Sequence, residues 1–132
     1  MSKFLVAFYN GTDAPIRFVN VETSRDNKTV PARGMFTTKV HFNVPDNSDS
    51  SKYFKDHHME IQTSDGTPIF SFWDDDGDSY LLKYCKSTNW QGSTADMSGY
   101  NPKGNEMDIG IVVTGSNSSN YEIRSCQVQF QV

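Results

Sequence analysis

The segment from Met35 to Val44 shows the clearest alternation of apolar and polar residues in the chain. One face carries Phe36, Thr38, Val40, Phe42 and Val44, and the other carries Met35, Thr37, Lys39, His41 and Asn43. Because successive side chains of a strand point to opposite faces, this pattern predicts a half-buried antiparallel strand. Pro45 ends it.

Further segments have the composition of strands, and they are Lys3–Tyr9, Ile16–Glu22, His58–Thr63, Ile69–Trp73, Tyr80–Cys85, Met107–Thr114 and Tyr121–Val132. The first is apolar on both faces, which predicts a strand covered on both sides or placed at an interface. Asn10-Gly11 follows it as a turn signal, so the first two strands are expected to form a hairpin. In the last segment the apolar positions change face, and we expect a bulge near Arg124–Ser125.

Turn and loop residues separate these strands. Asp65-Gly66 between two strand patterns is the strongest hairpin signal in the chain. Thr23–Gly34 is polar and predicts a loop, and Ser87–Gly104 predicts a long irregular loop that carries Trp90 and Tyr100. Compact domains seldom keep a loop of this length without a function for it.

The fold class follows from these elements. No window keeps the apolar spacing of a helix without also carrying glycine or proline. Seven to nine short strands separated by turn residues predict an all-β protein, a single antiparallel β-sandwich, with a flattened β-barrel as the alternative. The length of 132 residues indicates one domain over residues 1–132.

The net charge and the first residues of the chain limit the possible ligands and the expected location. The net charge is −4 and there is no cluster of lysine and arginine, which argues against a general nucleic-acid binder and disfavours attachment to anionic membranes by charge alone. Glycans, neutral or zwitterionic lipids and proteins remain as partners. The first residues lack the features of a signal peptide and no apolar run is long enough to span a membrane. The expected location is the cytoplasm, or outside the cell after release without a classical signal peptide.

An acidic turn follows the strand that ends at Trp73. Its carboxylates repel one another unless a cation lies among them, and Asp74, Asp76 and Asp78 are the candidate ligands for calcium. Their spacing differs from that of the EF-hand loop. The alternative is a solvated acidic turn that keeps a sheet edge soluble. Apart from calcium, no cofactor is predicted.

Aromatic residues surround this turn in sequence, namely Trp73, Tyr80, Tyr84, Trp90 and Tyr100. Aromatic faces with nearby carboxylates can bind sugars, and they can hold quaternary ammonium headgroups by cation–π contact. We therefore predict a ligand site formed by Trp73, Asp74, Tyr80, Trp90 and Tyr100. The alternative places Trp73 in the core and Trp90 as the anchor of its loop.

The remaining reactive residues give weaker signals. Cys85 and Cys126 are either reduced strand residues or partners in a disulfide. They have no zinc-ligand spacing. His57 and His58 would point to opposite faces of a strand, and no nucleophile, phosphate-loop or metalloprotease motif is present. An enzyme is therefore not expected.

Three segments resemble the aegerolysins, a family of small acidic β-sandwich proteins that recognise membrane lipids. The segments are Asn10-Gly-Thr followed by Ile16-Arg-Phe-Val-Asn20, then Phe70-Ser-Phe-Trp-Asp74, and finally Val113-Thr-Gly-Ser-Asn117. The family's Trp-Gly segment after the second strand is absent, as is the Cys-Pro-Trp-Gly that follows Trp-Asp. The resemblance implies a β-sandwich with lipid recognition, but lipid specificity does not carry over, since these losses fall on the binding surface.

Two functional hypotheses follow. The first is a non-enzymatic recognition module that binds a glycan or a membrane-lipid headgroup through loops near Trp73 and the acidic turn. The second is a structural protein that self-assembles as a homo-oligomer through strand edges, aromatic residues and disulfides.

Overall fold

A computed structural model describes residues 3–47, 55–75, 80–104, 107–117 and 120–128. Within these ranges the chain forms ten strands and one short helix. They are β1 (Phe4–Thr12), β2 (Ile16–Asn20), β3 (Asn27–Val30), β4 (Met35–Asn43), β5 (Met59–Thr63), β6 (Pro68–Asp74), β7 (Leu82–Lys86), α1 (Trp90–Ser93), β8 (Ala95–Asp96), β9 (Asp108–Gly115) and β10 (Glu122–Gln127). Among the described residues no helix is long and apolar enough to cross a membrane.

Two sheets pack face to face and do not close into a barrel. The four-stranded sheet has the order β10-β9-β1-β4, and the six-stranded sheet has the order β3-β2-β5-β6-β7-β8. One apolar core fills the space between them, with rings of Phe8 and Phe18 5.3 Å apart and those of Phe36 and Phe42 stacked at 5.9 Å. The prediction of a β-sandwich is confirmed.

Strand β1 lies inside the four-stranded sheet and is buried on both faces, as its apolar sequence predicts. It pairs antiparallel with β4 and parallel with β9, so the sandwich is not wholly antiparallel. The register shifts between Leu5 and Ala7, which lets Leu5 and Phe8 both enter the core despite their odd spacing.

The predicted hairpin of the first two strands is wrong, because β1 and β2 belong to different sheets. Asn10 and Gly11 continue β1 instead of forming a turn. The Asn10 side chain donates to the carbonyls of Ala14 (2.8 Å) and Val30 (3.0 Å) and accepts from the Thr12 amide (3.0 Å). These bonds fix a crossover from one sheet to the other.

Two further local predictions are wrong. The polar stretch Thr23–Gly34 contains strand β3, which pairs with β2 along one edge of its sheet. Strand β10 keeps a continuous register with β9, so it has no bulge at Arg124–Ser125. The apolar pattern changes there because Ser125, a small polar residue, occupies the buried face beside Ile123. The Asp65-Gly66 hairpin is confirmed, with Gly66 at φ +89°.

Candidate functional site

Trp73 is fully buried and offers no surface to a ligand in this structure. Phe72 points into the main core, so Trp73, the next residue of β6, faces the outer side of the six-stranded sheet. There it packs with Cys85 of β7, and Trp90 of α1 covers the pair. These three residues form a second, smaller core, as in the structural alternative considered for Trp73 and Trp90.

Asp74 is also fully buried, and its carboxylate is engaged within the protein. Lys3 Nζ lies 3.2 Å from Asp74 Oδ1 and donates a second bond of 2.6 Å to the Tyr80 carbonyl. The Lys3 backbone amide approaches Asp74 Oδ2 at 3.4 Å. This ion pair joins the residue before β1 to the end of β6, so it connects the two sheets.

The predicted calcium site extends beyond the described residues, since Asp76 and Asp78 lie outside them. Asp74, the remaining predicted ligand, is paired with Lys3. Across the part of the chain that the structure describes, no three His, Cys, Asp or Glu residues come together as a metal site.

The other predicted ligand-binding residues do not meet at one place. Trp90 belongs to the outer cluster on the six-stranded sheet, whereas Tyr100 packs against the core between the sheets. Tyr80 is 40% exposed and has φ +57°, the left-handed conformation, where the chain leaves the acidic turn. The five residues therefore form no common binding surface in this structure.

Both Cys85 and Cys126 are free thiols in this structure, which corresponds to the reduced alternative considered for them. Cys85 faces the outer side of the six-stranded sheet. Cys126 faces the outer side of the other sheet, because its Sγ lies 2.6 Å from the position of a Cβ on Gly110, between the core residues Ile109 and Ile111. Burial raises the pKa of Cys85 to about 11 and also raises the pKa of Cys126.

His58 and Glu60 form a polar pair at β5. His58 Nε2 lies 3.1 Å from Glu60 Oε2, and Gln62 Nε2 donates to Glu60 Oε1 at 3.0 Å. The bond from His58 is the largest cause that lowers the pKa of Glu60 below its ordinary value of 4.5. The carboxylate is thereby held in its charged form.

An open groove of about 780 Å³ lies between the edge strands of the two sheets, and we call it the inter-sheet groove. Its inner wall is aromatic and aliphatic, formed by Phe70, Tyr84, Tyr121 and Ile123. Its polar lining consists of Lys86, Ser98, Thr114, Asn120, Glu122 and Arg124. Its volume is typical of small-ligand sites.

The groove exists because the chain closes only part of this side of the sandwich. After β8, the Met97 amide donates to the carbonyl of Leu82, the first residue of β7, and the segment 98–100 then reaches β10. There Ser125 N donates to the Ser98 carbonyl (3.0 Å) and Tyr100 N donates to the Ser125 carbonyl (3.1 Å). The edges of β7 and β10 beyond this crossing line the groove.

A cavity of about 250 Å³ extends the groove toward the β5–β6 turn. The two share Phe70, Lys86 and Tyr121 as lining residues. The extension adds Thr63, Thr67, Pro68, Ile69 and Ser87. An elongated ligand could therefore contact the edges of both sheets.

The groove presents free polar groups above an aromatic wall. Among the described residues, neither the Tyr84 nor the Tyr121 hydroxyl has a hydrogen-bond partner, and Lys86 and Arg124 have no ion-pair partner. Sequence reasoning included Tyr84 among the aromatic candidates but missed the other three. They belong to strands of two different sheets that meet only in the tertiary structure, so no pattern along the sequence brings them together.

Comparison of the chain with protein-family models, with curated proteins and with solved structures gave no match.

Proposed function

We propose that this protein is a non-enzymatic recognition module that binds a glycan or a lipid headgroup in the inter-sheet groove. The observation that carries the proposal is the groove of about 780 Å³ with the half-buried Tyr84 and Tyr121 in its wall. A tyrosine ring supplies an apolar face for a sugar ring or a choline group, and its hydroxyl supplies a hydrogen bond. The proposal thus moves the site away from the Trp73 region.

Burial supports this change of place. Trp73 is fully buried with Trp90 packed against it, so a ligand would have to displace covering residues to reach it, and at Asp74 a ligand would compete with the Lys3 ammonium. The groove needs no such rearrangement, since its lining residues already face open space. The resemblance to aegerolysins favours the same class of ligand and stays a prediction.

The proposal is tested with a glycan array and a panel of liposomes, each with and without calcium. We expect binding by the natural sequence and its loss in Tyr121→Ser, which removes one aromatic wall. Tyr80→Ser is the matched control, because the Tyr80 side chain is 40% exposed and does not line the groove. Absence of binding on both panels would overturn the proposal, as would equal losses in the two variants of confirmed fold.

A specific observation favours self-assembly as a second candidate function. Met35 is 64% exposed on the outer face of the four-stranded sheet. It pairs with Tyr9, and Tyr9 pairs with Val112, so three apolar side chains form one row across β4, β1 and β9. A second copy of the chain would cover this row. Sedimentation velocity should then show a concentration-dependent dimer that Met35→Lys abolishes, and a monomer at all concentrations would reject the idea.

A further inference from the structure

The free edge of β10 presents a backbone donor to the inter-sheet groove. Ser125 directs its N–H and C=O away from β9, toward Ser98 and Tyr100. In an antiparallel pair this direction repeats every second residue, so Ile123 directs its groups to the same side. The approach of Ser98 Oγ to the Ile123 carbonyl at 3.5 Å agrees with this direction.

The Ile123 amide has no acceptor among the residues that the structure describes. Ile123 itself is only 5% exposed and lines the groove. A backbone N–H at a sheet edge requires an acceptor, and a ligand oxygen in the groove would supply one. The edge of β10 therefore favours a hydrogen-bond acceptor in the groove.

Two cations flank this edge from different sheets. Lys86 ends β7 and Arg124 follows Ile123 in β10, and both side chains are exposed. Neither forms an ion pair with a described residue, although the protein as a whole carries a net charge of −4. Glu122 is the single carboxylate among the groove residues. The charged lining thus favours an anion, opposite to the overall charge.

We infer that the inter-sheet groove selects ligands of net negative charge, which place a carboxylate or a phosphate between Lys86, Arg124 and the Ile123 amide. This inference rests on the proposed function, because it specifies the ligand of the same groove. Arginine and lysine donors to an oxyanion form charge-assisted hydrogen bonds, which are stronger than neutral ones. The tyrosine rings then contact the uncharged part of the ligand, a sugar ring or the glycerol region of a lipid.

The test compares two matched pairs of probes. The soluble pair is sialyllactose against lactose, and the lipid pair is vesicles of phosphatidylcholine mixed with phosphatidylserine against phosphatidylcholine alone. We expect the acidic member of one pair to bind about tenfold more tightly, the gain that two partly exposed ion pairs supply. The pair that shows the preference identifies an acidic glycan or an anionic headgroup as the source.

Variants then locate the effect. Lys86→Gln/Arg124→Gln should remove the preference for the acidic probe while binding of the neutral probe remains. Arg25→Gln/Lys103→Gln removes the same charge from exposed positions outside the groove lining, so it should keep the preference. Glu122→Gln should increase the preference for the acidic probe, because a repelling carboxylate is lost. Added salt should decrease this preference.

The outcomes separate the two proposals. Equal binding of acidic and neutral probes overturns the inference and leaves the proposed function standing. If the control double variant loses the preference for the acidic probe to the same extent, the preference depends on net charge, and this result also overturns the inference. No binding of any probe overturns both.

Discussion

The Lys3–Asp74 ion pair gives the sharpest test of how the two sheets are held together. Both side chains are fully buried, and the pair lies where the start of the four-stranded sheet meets the end of β6. Lys3→Met keeps a long, unbranched side chain but removes the ammonium. We expect the variant to be destabilised, because a buried carboxylate loses its cationic partner and the Tyr80 carbonyl loses a 2.6 Å hydrogen bond.

The size of the effect follows from the burial. Removing one partner of a buried ion pair costs about 3–5 kcal/mol. The Lys3 amide does not replace the ammonium, since its distance of 3.4 Å to Asp74 Oδ2 is beyond that of a normal hydrogen bond. An unfolding entropy of about 2.1 cal/mol/K per residue over 132 residues gives about 0.28 kcal/mol/K. The expected decrease in Tm is therefore roughly 11–18 °C.

Urea unfolding followed by tryptophan fluorescence measures the free energy of unfolding, since Trp73 is fully buried in the folded state. Lys103→Met is the matched control, because Lys103 is exposed, and it should change stability by less than about 0.5 kcal/mol. Asp74→Asn should cost a similar amount to Lys3→Met. The double variant Lys3→Met/Asp74→Asn should recover most of the loss, because no uncompensated buried charge remains.

A Lys3→Met variant within about 1 kcal/mol of the natural sequence would refute this reasoning, since that is the value of an exposed pair. Additive effects in the double variant would refute it as well. In that case the two charges would not interact, and the pair would contribute little to holding the sheets together.

Three further predictions concern other parts of the fold. The lowered pKa of Glu60 means that the folded protein binds fewer protons there than the unfolded chain, so its contribution to stability is present above pH 4.5 and is lost as the pH falls through the folded-state pKa. Glu60→Gln should therefore lower Tm at pH 7, and the difference from the natural sequence should disappear in acid; a constant difference would contradict this. Iodoacetamide at pH 8 should modify Cys126 slowly and Cys85 hardly at all in the folded protein, because burial raises the pKa of both thiols. Both cysteines should react in urea, and mass spectrometry distinguishes the two sites. Rapid labelling of Cys85 in the folded protein would contradict this prediction. Gly99→Ala should destabilise the protein more than Gly66→Ala. Both glycines have positive φ, but only at Gly99 would the added methyl group meet a backbone carbonyl. Equal decreases in Tm would show that backbone strain alone determines the loss of stability.

Most of the strands could be predicted from the sequence because their signals are local. The alternation from Met35 onward, the apolar run of β1 and the Asp65-Gly66 turn each specify a strand or hairpin through its own residues. Strand β3 was missed because its polar sequence Asn-Lys-Thr-Val becomes a strand only by pairing with β2. The pairing of β1 was missed for the same reason, since its parallel partner β9 lies about a hundred residues away.

The candidate site could not be predicted in this way. Trp73 and Asp74 have the sequence features of a ligand site, but whether a side chain is accessible depends on which distant segment covers it. Trp90 packs against Trp73, and Lys3 pairs with Asp74, so both residues stabilise the interior of the protein.

The sequence by itself therefore determined an all-β sandwich and most of its strands, because alternation and turn residues act within a few positions. Only the tertiary structure decided which residues line a site. The inter-sheet groove lies between β7 and β10, whose edges meet because the two sheets pack together. Nothing in the spacing of the chain places Lys86 and Arg124 in one groove.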